Sequence, residues 1–146
     1  MDNFTMSELA YKNGYERGRA EALTSLAKEI HQIAIDKGWW DNPPHFGETV
    51  ALCHAELSEA LEEYRAERPA LWYKCDCHVC AELECDTCEL RHERVDKPEG
   101  VAVEMADCLI RILDWFGHTG LDVDEIVRTK TEYNKTRPYR HGGKRL

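Results

Sequence analysis

Wound at helical period, the run from Glu99 to Phe116 is apolar on almost every side. Val101, Met105, Cys108, Leu109, Ile112 and Phe116 fill most of the circumference, and Glu104, Asp107, Arg111 and Asp114 share one thin charged strip. Such a helix must be covered by other elements on nearly all faces, and its strip needs partners able to receive charge. Pro98 suits the start of this helix and Gly117 with Gly120 its end.

Three further helices are expected around it. The stretch from Ser7 to about Lys37 carries Leu23, Leu26, Ala27, Ile30, Ile33 and Ala34 at helical spacing, although Gly14 and Gly18 weaken its first part. GWWDNPPHFG, from Gly38 to Gly47, interrupts it with two prolines and two glycines. A second, amphipathic helix follows from about Glu48 to Glu67, with Val50, Cys53, Leu57, Leu61 and Tyr64 as its stripe and Pro69 beyond its end. The last begins at Asp122, a good N-cap, and runs to about Arg137 before Pro138. Residues 70–97, with five cysteines and no sustained period, read as an insertion between the second and third core helices. The expectation is an all-α fold, a single domain over residues 1–146.

Bulk properties narrow the function. A chain of 146 residues that is 42% hydrophobic and 32% charged is long and apolar enough to bury one core. Its net charge of -9 repels a phosphate backbone, which disfavours sequence-independent nucleic-acid binding. No apolar run resembles a signal peptide or a membrane span, so a cytoplasmic protein with no membrane partner is expected.

Carboxylates carry the chemistry. Glu56, Glu59 and Glu63 lie three and four residues apart on one face of the second helix, and Glu104 and Asp107 are three apart on the third. Were the helices to pack with these faces together, four or five carboxylates would converge, which is costly unless cations neutralise them. Oxygen-only ligands select a hard ion, Mg²⁺ or Mn²⁺, and magnesium so held keeps positions for water and substrate phosphates. A solvated face explains Glu62 and Glu67 well, but Glu104 and Asp107 poorly, because their helix has so little polar surface.

The set Glu56-Leu-Ser-Glu59 followed by Glu104-Met-Ala-Asp107 resembles the paired acidic motifs of MazG-like nucleotide pyrophosphohydrolases. The resemblance extends through GWW from Gly38, HAELSEALEEYR from His54, KPEGVAVEMADCLIRILD from Lys97 and KTEYNKTRPYRHGGK from Lys130. It implies a MazG-like helical bundle, assembled as a homodimer or higher homo-oligomer. It also implies Mg²⁺-dependent hydrolysis of nucleoside triphosphates, deoxynucleotides foremost, to monophosphate and pyrophosphate, as housekeeping of the nucleotide pool. In that reading Glu56, Glu59, Glu104 and Asp107 are the catalytic metal ligands. The family pattern often opens with two adjacent glutamates where this chain has Ala55 before Glu56, and Glu63 is the candidate for the missing charge.

From Arg128 onward there are seven Lys or Arg side chains against a single carboxylate side chain, Glu132. Lys130, Asn134 and Arg137 recur at spacings of four and three, where they can meet phosphates, and Arg140 follows. Cations near a helix end also favour its dipole, and that reading competes for the tail. Trp39 and Trp40 can stack on a nucleobase or anchor their loop, the second role being favoured for one of them.

Cys77, Cys80, Cys85 and Cys88 form two CxxC pairs four residues apart, a set that can wrap a structural Zn²⁺ or remain free or redox-active thiols. An alternative function follows, a non-enzymatic zinc-binding interaction module on a helical scaffold.

Overall fold

The computed structural model describes residues 22–74 and 97–140, and these are mostly helical. In chain order they form α1 (Ala22–Asp36), α2 (Phe46–Arg65), β1 (Trp72–Lys74), β2 (Lys97–Glu99), α3 (Val101–Thr119) and α4 (Val123–Lys135). The part of the first expected helix before Ala22 and the cysteines Cys77, Cys80, Cys85 and Cys88 lie outside the described residues. The chain divides into two compact units with the boundary inside α3: one takes residues up to Asp41 and from Leu113 onward, the other Asn42–Ile112.

In the first unit Ala27, Leu113 and Val123 are buried, with Leu23, Ile30 and Phe116 packed against them. The start of α1 is held by α4. The Asp124 carboxylate accepts from the backbone N–H of Leu23 (3.2 Å) and Thr24 (2.8 Å) and from the Thr24 hydroxyl (2.7 Å), satisfying donors that a helix start leaves free. Burial works against the charge on Asp124, but these bonds hold its carboxyl below the usual range. Asp122 caps α4 as expected, accepting from Glu125 N–H at 2.9 Å.

Gly117 does not end α3. It sits within the helix, and a Cβ there would lie 2.4 Å from the Ala27 carbonyl oxygen and 2.5 Å from His31 Cβ. Its bare backbone is what allows α1 to approach. An alanine gains about 1 kcal/mol in helix propensity, but such overpacking costs roughly 1–3 kcal/mol or more, so the close approach decides the residue. Gly120, at φ +67°, terminates the helix.

In the second unit α2 opens directly after the prolines with His45 as its N-cap, Gly47 N–H donating to His45 Nδ1 (3.2 Å) and His45 N–H donating to Glu48 (2.7 Å). The segment expected to be an insertion between helices carries a strand at each described end. Trp72, Tyr73 and Lys74 pair antiparallel with Glu99, Pro98 and Lys97, so the cysteine-bearing residues leave and return along one short ladder. Pro98 therefore belongs to a strand and α3 begins at Val101, after Gly100 turns the chain at φ +109°. A Cβ on Gly100 would meet the carbonyl oxygens of Pro69 and Ala70 at 2.8 Å, a clash with backbone that keeps the position for glycine.

The expectation that the third core helix is covered on nearly all sides does not hold among the described residues. Met105, Leu109, Ile110 and Ile112 are between 40% and 52% exposed, and Leu57, Leu61 and Tyr64 on α2 are open as well. The sequence pattern measures how much apolar surface a helix offers, and a single copy of the described residues does not cover it.

Candidate metal centre

The second unit brings Glu56 of the first acidic pair together with both members of the second. Glu56 from α2 and Glu104 and Asp107 from α3 each offer an oxygen, and these oxygens all lie within 4.8 Å of one another. Glu56 and Glu104 are each 6% exposed, while Asp107 is half-buried. The i, i+3 spacing on α3 explains why its two carboxylates share a face, and Gly100 sets where that helix starts.

The three carboxylates are not equivalent. Glu56 Oε1 accepts from Arg111 Nε at 2.6 Å and Nη2 at 2.5 Å, a charge-assisted pair that compensates its burial. Among the described residues neither a hydrogen bond nor an ion pair reaches the Glu104 carboxylate. Burial and the repulsion of Glu59, Asp107, Glu56 and Glu99 raise its pKa from 4.5 to about 7. Asp107 is likewise raised, by burial and then by Glu56, with Arg111 and Lys97 pulling the other way. The Lys97 ammonium, held above its ordinary value mainly by its hydrogen bond to Glu99 at 2.8 Å, stands at the edge of this field.

Glu59 is exposed and outside the tight trio, yet close enough to act on Glu104. Glu63, put forward to replace a missing charge, is engaged elsewhere: it accepts from Arg68 at 2.8 Å and from Trp72 Nε1 at 3.0 Å, with the Arg68 guanidinium 5.2 Å from the Trp72 ring centre. Its role is to hold β1 against α2, because the buried indole N–H needs an acceptor. Arg111, Lys97 and Glu99 were not assigned to the site from sequence. Arg111 was visible on the same strip as Glu104 and Asp107, whereas the contribution of β2 depends on a ladder that no local pattern signals.

The remaining candidates belong to the first unit. Trp40 is an anchor: its Nε1 donates to Asp114 (3.1 Å), its ring stacks on His118 at 4.2 Å, and His31, itself 2.7 Å from Asp114, meets it edge-on. This gives Asp114 and His118 structural roles. Trp39 is 73% exposed and free to stack. Lys130, Asn134, Arg137 and Arg140 are all exposed, with Lys130 Nζ 4.9 Å from the Tyr133 ring centre and the Arg140 guanidinium 5.4 Å from that of Tyr139.

A buried carboxylate with no partner among the described residues, two acids beside it and only oxygen donors fit a hard divalent cation such as Mg²⁺ or Mn²⁺. Comparison with family models, curated proteins and solved structures finds no match to this chain.

Proposed function

We propose that the Glu56, Glu104 and Asp107 cluster holds Mg²⁺, or Mn²⁺ in its place. The chain then hydrolyses nucleoside triphosphates, deoxynucleotides foremost, to monophosphate and pyrophosphate in the cytosol, keeping the nucleotide pool clean. The observation that carries this reading is Glu104, 6% exposed, without a bonding partner among the described residues and with a ligand oxygen within 4.8 Å of those of two further carboxylates. Structural stability alone gives no reason to bury it so. The resemblance of both acidic motifs to MazG-like pyrophosphohydrolases supplies the reaction.

Bound Mg²⁺ would polarise a phosphoryl oxygen and offset charge developing during the attack. Glu104 and Asp107 supply ligand oxygens from one helix face, and Arg111 fixes the Glu56 side chain so that it meets them. Glu59, exposed and adjacent, is the carboxylate free to take a proton from the attacking water. On the first unit, Lys130, Asn134, Arg137 and Arg140 are exposed cationic and amide groups suited to phosphate oxygens, and Trp39 has an exposed face on which a base can stack.

The protein incubated with a panel of ribo- and deoxynucleoside triphosphates is expected to release pyrophosphate only when Mg²⁺ is present. Glu59→Gln and Asp107→Asn are expected to abolish that release with the helical circular-dichroism signal intact. Turnover unchanged in either variant would refute the assignment.

The same reading makes the chain a homo-oligomer, a dimer at least. Its support is the open apolar surface of Met105, Leu109, Ile110 and Ile112, a patch that isolated soluble chains rarely leave uncovered. Sedimentation should give at least twice the 16.9 kDa chain mass, and Leu109→Glu should shift the protein to single chains. A wild-type protein sedimenting as a single chain at all concentrations rules this out.

A further inference from the structure

Around the acid cluster the charges sort themselves by pairing. Glu56 is matched by Arg111, whose Nε and Nη2 both reach Oε1 at 2.6 and 2.5 Å. Glu99 is matched by Lys97 at 2.8 Å. Within the tight trio this leaves Glu104 and Asp107, neither of which meets a cation in an ion pair among the described residues. Two carboxylates without an ion-pair partner carry the charge of one divalent ion.

We propose that Arg111 serves as a built-in counter-cation for Glu56, so that the cluster accepts one divalent ion per chain before substrate arrives, with the guanidinium standing where a second ion would otherwise be held. This rests on the reading that the cluster is a metal site and adds a positioning residue and a capacity to it. Two features support it. The guanidinium places two donors on one carboxylate oxygen, which immobilises Glu56 and leaves its other oxygen without a described bond. Glu56 is also 6% exposed, so its charge requires a permanent partner that does not come and go with solution metal.

Mn²⁺ titration of the full chain, followed by the loss of the free-ion electron paramagnetic resonance signal, tests this without relying on turnover. The wild type is expected to bind one Mn²⁺ per chain, and Glu104→Gln to lose that ion, which assigns the count to this cluster. Arg111→Met, and Arg111→Gln with an amide donor kept for Glu56, should each bind a second ion or hold the first at least about ten-fold more tightly, since a positive charge has left the site. Arg111→Lys should remain at one ion. Two ions in the wild type, or neutral variants that match it in number and affinity, overturn the role of Arg111 while leaving the metal site standing. No Mn²⁺ bound by the wild type, or an ion that Glu104→Gln retains, overturns the metal site and the proposal together.

Discussion

Glu104→Gln is expected to stabilise the metal-free protein at about pH 8 by roughly 2 kcal/mol while removing the proposed hydrolytic activity. The carboxyl is 6% exposed, and its surroundings raise its pKa from 4.5 to about 7. Ionising such a group costs the folded state about 3 kcal/mol relative to the unfolded chain, at 1.36 kcal/mol per pKa unit. Glutamine has the same shape without the charge, and part of the gain is lost because its amide also needs partners. Activity should fall by roughly 10²–10³-fold or more, the order found when one electrostatic stabiliser leaves a site. Urea unfolding with a chelator present measures the first effect and pyrophosphate release the second. A variant less stable than wild type at that pH means the Glu104 charge is compensated after all, and a variant that still turns over means it is no ligand.

A stability gain from deleting a functional group separates a site from a scaffold. Glu56→Gln should not behave this way, because removing that charge takes from Arg111, half-buried itself, the partner it holds at the buried carboxylate. The two glutamates are equally buried, and the presence of Arg111 is what distinguishes them.

Much of this centre was legible in the chain, because spacing on a helix is a local property. Glu104 and Asp107 sit three residues apart on an otherwise apolar helix, and that incongruity by itself marks them. Asp122 was recognisable as a cap for the same reason. What escaped depends on contacts between distant segments. Glu63 looks like a ligand on the helical wheel, but Trp72, nine residues later, brings an indole N–H that claims its carboxylate. Gly117 reads as a helix terminator until Ala27, ninety positions earlier, is seen to need the space. Likewise the apolar stripes of α2 and α3 register how much surface must be hidden, but not whether the covering partner is the same chain.

With a chelator present, the protein is expected to lose stability as pH rises from about 5 to about 8, and excess Mg²⁺ should flatten that slope. The sign follows from proton binding. Because the folded-state carboxyl of Glu104 titrates at about 7 and its unperturbed counterpart at 4.5, the folded chain holds more protons between those values, so stability falls as pH increases through them. Asp107, also raised, adds in the same direction. Asp124 is lowered instead, so its contribution is lost only on acidification below the ordinary carboxylate range and does not enter this window. The loss should total about 3 kcal/mol from Glu104 alone, read as a falling urea midpoint. Mg²⁺ binds the ionised form, so binding must expel the proton that Glu104 carries, roughly half of one per ion near pH 7. Its stabilising effect therefore grows with pH over the range in which the metal-free protein weakens. Calorimetric Mg²⁺ titrations in buffers of differing ionisation enthalpy would count that proton directly. A flat midpoint between about pH 5 and 8, or Mg²⁺ uptake without proton release, would mean that Glu104 is already ionised and satisfied in the folded chain, with no uncompensated charge left to draw a cation.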